Sequence, residues 1–233
     1  MPPLTREYQN LVLASLPKAE INRLAPYLSP VTLKVRDELL DGKSKYAYFL
    51  EHGLASVVLP MESGATVEVG VVGREGVVGL PMLLGAKTMP GETYIQIAGA
   101  GFRIEATRLK DEFERPGELR RYLQKYLLAN LVQSAQNAAC NRVHPIAARL
   151  ARWLLTCHDR VRTDRMPLTH EFLAAMLGTP RTTVTLAAGT LHKAGLIDYS
   201  RGHVTIKNRQ KLEGSACECY RVVRDEFDRL GLF

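Results

Sequence analysis

Leu168–Leu196 reads LTHEFLAAMLGTPRTTVTLAAGTLHKAGL. It divides into two short helical segments joined by a tight turn at Gly178. Thr179 followed by Pro180 suits a helix start, with a hydroxyl at the N-cap and proline in the first helical position. Leu173, Leu177, Val184 and Ala187 fall where two crossing helices pack, with the small Ala174 at their contact. Arg181, Thr182, Thr183 and Thr185 then occupy the first turns of the second helix and point outward, where a recognition helix meets base edges. The same pattern also serves an ordinary helical hairpin inside a core, so the rest of the chain has to decide.

The 233 residues are enough for one large domain or two small ones. A hydrophobic content of 46% with 24% charged residues is that of a soluble globular protein. No apolar run approaches the roughly twenty residues that span a bilayer. The N-terminal MPPLTREYQNLVLASL lacks the basic and apolar pattern of a signal peptide, so a cytoplasmic location without membrane contact is expected. The formal net charge of +7 is uneven. Residues 141–233 hold 15 Lys and Arg against 9 Asp and Glu, whereas residues 1–140 hold 16 against 15. The excess sits in the half that carries the opening stretch, as a polyanion partner would require.

Four cysteines are too few for a disulfide framework. Cys217-x-Cys219 is poor spacing for a zinc clamp and has no second close pair, so no metal site is expected there and the role of these thiols is unread. Cys140 and His144 lie one helical turn apart, but Pro145 disturbs their geometry. No nucleophile–base pair stands out, and Gly73–Gly79, GREGVVG, lacks the Lys and the helix of a phosphate loop. An enzyme is not expected.

Thr5 can cap a first short helix and Pro17 a second. From Val31 the chain changes to short extended runs, VTLKV, YAYFLEHG, LASVVLP, TVEVGVV, EGVVGL and YIQIAGAGFRIEA. Turns at Asp41-Gly42, Glu51-His52-Gly53, Glu62-Ser63-Gly64 and Gly73-Arg74-Glu75-Gly76 separate them, which points to an antiparallel β-sandwich or barrel, and a small β-roll would fit. A short helix from Thr107 to Arg115 closes it. Gly117–Val143 follows as one long helix of roughly 37 Å at 1.5 Å per residue. Its apolar stripe (Leu119, Tyr122, Leu123, Tyr126, Leu127, Leu131, Ala135, Ala138) suits a seam with a second copy. His144-Pro145 is the hinge, and the next helix carries Trp153 into a core. After Leu196, two extended runs flank Ser200-Arg201-Gly202, a hairpin wing with Arg201 at its tip. Gln210–Phe233 reads as a terminal helix.

With these parts in order, the chain resembles the cyclic-AMP receptor protein and fumarate–nitrate regulator (CRP/FNR) superfamily of bacterial transcription regulators over nearly its whole length. The segment LAAMLGTPRTTVTLAAGTLHKAGLIDYSRGHVTI carries the resemblance most specifically, and YFLEHGLASVV around Gly53 looks like the family's roll hairpin. The resemblance implies an α+β chain with a jelly-roll-like antiparallel β-roll sensor over residues 1–116 and a dimerisation helix over 117–143. A winged helix-turn-helix with its C-terminal helix would occupy 144–233. It implies double-stranded DNA, a second copy and RNA polymerase as partners. Thr179, Arg181, Thr182, Thr183, Thr185, Leu186 and Arg201 become the expected DNA contacts. Arg181 matches the arginine that reads a guanine in the family, a contact worth about 1–3 kcal/mol of discrimination. The next family position, often glutamate, is Thr182. A second arginine four places after that is Leu186, so the operator should differ from that of the founding member.

The sensor half departs further. In cyclic-nucleotide-binding members a Gly-Glu pair and a following arginine hold the ribose and phosphate. The matching segments here are Gly79-Leu80-Pro81 and Pro90-Gly91-Glu92-Thr93, and no arginine lies between Arg74 and Arg103. Burying a cyclic phosphate without a cation is costly, so cyclic AMP is not the expected effector. An unknown small molecule near Gly79, Leu80, Glu92 and Thr93, or none at all, is. No cysteine precedes Cys140, against an N-terminal iron–sulfur cluster, while haem on His52 stays open. The alternative function is a ligand-binding signalling module whose helical domain binds a protein instead of DNA.

Overall fold

The computed structural model describes residues 8–40, 44–62, 64, 66–86 and 91–233. The expected cap at Thr5, the turn at Asp41-Gly42, Ser63 and Pro90 lie outside them. The first described helix, α1 (Leu11–Ser15), begins later than the sequence suggests because Asn10 caps it. The Asn10 side chain accepts from the Val12 and Leu13 N–H groups, and its Nδ2 donates to Leu50 and Gly76 carbonyls at 3.0 Å each. With those four bonds the buried amide is fully used, and the helix is pinned to the roll. Pro17 opens α2 (Lys18–Leu24) as expected.

The roll consists of β1 (Ser29–Leu33), β2 (Glu38–Leu40), β3 (Tyr46–Pro60), β4 (Thr66–Val72), the short helix α3 (Leu80–Leu83) and β5 (Glu92–Glu105). Its sheet is antiparallel in the order β1-β5-β3-β4, with β2 also on β5. Two extended runs expected to be separate strands are one. Glu51-His52-Gly53 is not a turn but an irregular stretch inside β3, where the register against β5 shifts three times. Gly53 takes φ +91°, and a Cβ there would lie 2.6 Å from the Ile97 carbonyl oxygen, so only glycine lets the strand bend this way. EGVVGL is likewise not a strand. Apart from one bridge between Tyr48 and Val78 it runs as a turn into α3.

Helix α4 (Ala106–Glu114) leads to α5 (Glu118–Val143), within one residue of the expected span. The Glu20 carboxylate of α2 accepts the Glu118 and Leu119 N–H groups at 2.8 and 2.9 Å, a negative cap at a helix N-terminus. Leu119, Tyr122, Leu123 and Tyr126, expected on a seam between two copies, are instead buried in the chain's own core with Phe49 and Leu13. The long helix needs one face to close the roll, and those four residues supply it. Of the expected stripe Leu131, Ala135 and Ala138 stay exposed and Leu127 is half-buried, with Leu128 exposed beside them.

His144 ends α5 in an extended conformation and Pro145 opens α6 (Ile146–Val161), a helix break where one is expected. The short strand β6 (Arg165–Met166), α7 (His170–Leu177), α8 (Arg181–Lys193), β7 (Ile197–Ser200) and β8 (His203–Ile206) follow, then α9 (Arg209–Ser215) and α10 (Cys219–Leu230). Helix α10 returns to the first half, where Phe227, Leu230 and Leu232 enter the core around Tyr126. The two halves also share a core of their own. Leu54, Val58 and Val71 of the roll pack with Trp153, Leu173 and Met176.

Polar contacts also cross this joint. Arg160 of α6 donates through Nε to Glu75 Oε1 at 2.8 Å and through Nη2 to Gln133 Oε1 at 3.1 Å, with both ion-pair partners buried. Trp153 Nε1 donates to Glu68 Oε1 at 2.6 Å. Ser56 Oγ lies 2.8 Å from Glu68 Oε2 and 2.6 Å from Gln96 Oε1. One hydroxyl carries one proton, so both contacts are satisfied when Glu68 is protonated and donates to Ser56. Burial agrees, pushing the Glu68 carboxyl from 4.5 up to about 7 although Trp153 donates to it. A carboxyl raised in the folded state holds its proton where the unfolded chain has lost it. Stability from this group is therefore full below about pH 4.5 and declines by about 3 kcal/mol as pH rises through 7. Glu68→Gln, which keeps both the acceptor and a donor to Ser56, should flatten the pH dependence of the unfolding free energy between about pH 5 and 8. An unchanged slope in denaturant titrations would refute the assignment.

Candidate DNA interface

The opening stretch folds as two helices at a sharp turn. Thr169 Oγ1 accepts the Phe172 N–H at 3.1 Å and caps α7. Gly178, at φ +58°, ends α7, and the Thr179 N–H bonds back to the Ala174 carbonyl at 3.0 Å. Helix α8 starts one residue later than expected. Pro180 takes the N-cap position and its carbonyl accepts from Thr183 and Val184, so the Thr179 hydroxyl is not the cap. Leu173, Ala174, Leu177, Val184 and Ala187 are all buried where the two helices cross.

The opposite face of α8 is bare. Arg181, Thr182, Thr185 and Leu186 are exposed, Leu186 to 75%, while Thr179 and Thr183 are half-buried at its edge. Thr185 donates its hydroxyl to the Arg181 carbonyl at 3.0 Å, and His170 Nδ1 lies 3.1 Å from Thr185 Oγ1 itself. With the hydroxyl proton spent, Nδ1–H must be the donor to Thr185. The Thr185 hydroxyl is thus used within the protein, and its methyl is what it can offer a partner. His170 is held in place by a stack on Tyr199, with ring centroids 3.9 Å apart. Burial and the nearby Arg181 guanidinium hold its pKa below the ordinary histidine value. Sequence reasoning missed this support, because nothing local marks a histidine at the start of α7 as the neighbour of Thr185.

The wing is as expected. Ser200 pairs with His203 across β7 and β8, and Arg201 and Gly202 form the two-residue loop with φ of +49° and +76°. Positive φ at both positions is the tight hairpin turn that matches strand twist. Arg201 is exposed at the tip.

A second feature lies between the roll and α5. A cavity of about 340 Å³ is lined by Val57, Val72, Gly79, Leu80, Thr93 and Leu131 among others, and its lining includes no charged side chain among the described residues. Of the expected effector residues it brings together Gly79, Leu80 and Thr93. Glu92 is outside the lining and exposed. Alternation along β5 explains this, since neighbours on a strand face opposite sides. His52 is exposed on β3. Cys140, His144, Cys217 and Cys219, far apart in sequence, converge where α5 meets α10.

Comparison with known proteins agrees with this geometry. Residues 148–214 match the Crp-like helix-turn-helix domain. A putative transcriptional regulator of the CRP/FNR family from Eubacterium rectale superposes with a TM-score of 0.68 at 16% identity, covering 89% of this chain and 98% of that one. FixK2 from Bradyrhizobium japonicum gives 0.69 at 16% identity over 82% and 98%. TTHA1359, a CRP/FNR-family regulator from Thermus thermophilus, gives 0.65 at 21% over 81% and 98%. A search of curated protein sequences found no match. Residues 148–214 are thus a Crp-like helix-turn-helix domain, and the fold of the chain is that of these CRP/FNR-family regulators. No helix among the described residues is long and apolar enough to cross a membrane.

Arg181→Ala should relax base choice at one position of each half-site, at about 1–3 kcal/mol, in selections from a random DNA pool. Arg201→Ala should weaken binding to all sequences alike and lower the salt slope of log K by about one. Unchanged selectivity in the first variant would remove Arg181 from the reading face.

Proposed function

We propose that the protein is a homodimeric, sequence-specific regulator that reads a near-palindromic operator without needing a cyclic nucleotide. Three units divide the work: a sensor roll (residues 1–116), a pairing helix (117–143) and a reading head (144–233). The observation that carries the dimer is the exposed face of α5. Leu128 and Leu131 are 43% and 65% exposed, and Ala135 and Ala138 continue the line at steps of three and four residues. That spacing is the seam of a two-helix coil, with small residues allowing close approach. Pairing there would present two copies of α8, each with Arg181 and Leu186 outward, to successive major grooves about 34 Å apart.

The cavity between the roll and α5 supports an uncharged, largely apolar effector, if one acts. A cyclic phosphate placed there would face Leu80 and valines where it needs a cation. Because Leu131 both lines the cavity and stands on the exposed seam, an occupant would touch the pairing surface directly.

Leu131→Glu tests the seam. Sedimentation should show a monomer with the wild-type circular dichroism spectrum, and affinity for a two-half-site operator should fall to that of a single half-site. A variant that stays dimeric would overturn the seam. Operator affinity unchanged by added cyclic AMP is the expected outcome for the sensor, and a tenfold gain would overturn that part.

A further inference from the structure

Cys140 and His144 stand one turn apart at the end of α5, Cys217 lies in the link between α9 and α10, and Cys219 is the first residue of α10. One ligand atom from each side chain, three Sγ and one ring nitrogen, lies within 4.8 Å of the others. Cys140 Sγ is 3.5 Å from Cys217 Sγ, and Cys219 Sγ is 3.5 Å from His144 Nδ1. We propose that these four side chains form a closed tetrahedral Cys3His site for a thiophilic divalent cation, zinc first among them.

Geometry, the surrounding groups and charge all support this. In a tetrahedral site with metal–sulfur bonds of about 2.3 Å the ligands stand about 3.8 Å apart, so the observed separations need only small adjustments. The set is too tight to enclose a multi-iron cluster, whose sulfurs bind different irons and must spread further. His144 turns its other ring nitrogen, Nε2, to Glu218 Oε1 at 3.1 Å. A carboxylate on the far nitrogen of a ligating histidine fixes the tautomer that leaves the near lone pair free, the usual support of such ligands. Gln136 Nε2 donates to Cys219 Sγ at 3.1 Å, as amide N–H groups do toward bound thiolates.

Three thiolates and a dication leave one negative charge. The Arg149 and Arg152 guanidiniums act electrostatically on these cysteines, and their buried Nε atoms have no hydrogen-bond partner among the described residues. Packing alone accounts poorly for the arrangement. The three thiols form a buried cluster of their own, with only Ala148 packed against it among partly buried hydrophobics. A cluster that small gains little from burial.

All four positions are filled by protein, so the site is structural, with no open position for chemistry. It would staple α10 to the residue just before Pro145, and so fix the joint between the pairing helix and the reading head. This inference does not depend on what the reading head binds.

Full-length protein purified under reducing conditions should carry one zinc per chain by elemental analysis. After chelation, titration with Co2+ should give thiolate-to-cobalt charge-transfer bands and the strong visible absorption of tetrahedral cobalt, saturating at one ion per chain. His144→Ala and the C217S/C219S variant should lose saturable binding, whereas Cys157→Ala, in a separate core, should keep it. Since cysteine variants can fail to fold, His144→Cys provides a second arm: it should retain one ion and shift the cobalt bands to those of a four-sulfur site. Wild-type protein that binds no stoichiometric metal, shows only the weak spectrum of octahedral cobalt, or holds a Cys140–Cys217 disulfide under reducing conditions would overturn the proposal.

Discussion

The ion pair between Arg160 and Glu75 sits where every large part of the molecule meets. Arg160 comes from α6, Glu75 from a loop of the roll, and Gln133, the third partner, from the long helix α5. Two charges taken from water cost several kcal/mol each unless their geometry and remaining hydrogen bonds are good. The pair therefore holds only while all three segments stay packed around it. The glycines beside it make that packing feasible. A Cβ at Gly73 would stand 2.7 Å from Arg160 Cβ, and one at Gly76 would stand 2.1 Å from the Tyr126 ring. Phe227 and Phe233 close the remaining side, with the guanidinium 5.3 and 5.5 Å from their ring centroids.

From sequence this loop reads as one turn among several, because its ion-pair partner is 85 residues away and no local pattern announces it. The same distinction runs through the chain. The helix pair at Gly178, the wing and the helix break at Pro145 are legible because their determinants are local: a glycine at positive φ, a proline, and a hydrophobic step repeated every three or four residues. The long helix was legible in extent but not in which face does what. Both a seam and a core contact use the same spacing, and only the roll packed against it shows that Tyr122 and Tyr126 point inward while Leu131 points out. Gly53 misled in the opposite direction, since a glycine between apolar runs signals a turn whether the chain reverses there or merely bends.

The candidate sites divide in the same way. Arg181 and Leu186 were found by position within a helix, and the structure exposes both. Cys217 and Cys219 stand without a ligand partner at local spacing in the sequence. Their complement, Cys140 and His144, is met through the return of the last helix, where the sequence reads one terminal helix over Gln210–Phe233 and the structure breaks it at residues 216–218.

The core shared by Leu54, Val58 and Val71 with Trp153, Leu173 and Met176 bears on how such a molecule could switch. The reading head is not tethered by a free linker, so turning it to another orientation uncovers part of this joint. Each 100 Å² of apolar surface exposed costs about 2.5 kcal/mol, which reduces the population of the turned form about seventyfold. A signal acting through the roll would have to favour the turned form by at least that margin to make it the common one. Without such a signal, the aim of Arg181 and Leu186 is set by the joint itself, and the resting equilibrium lies with the orientation seen here.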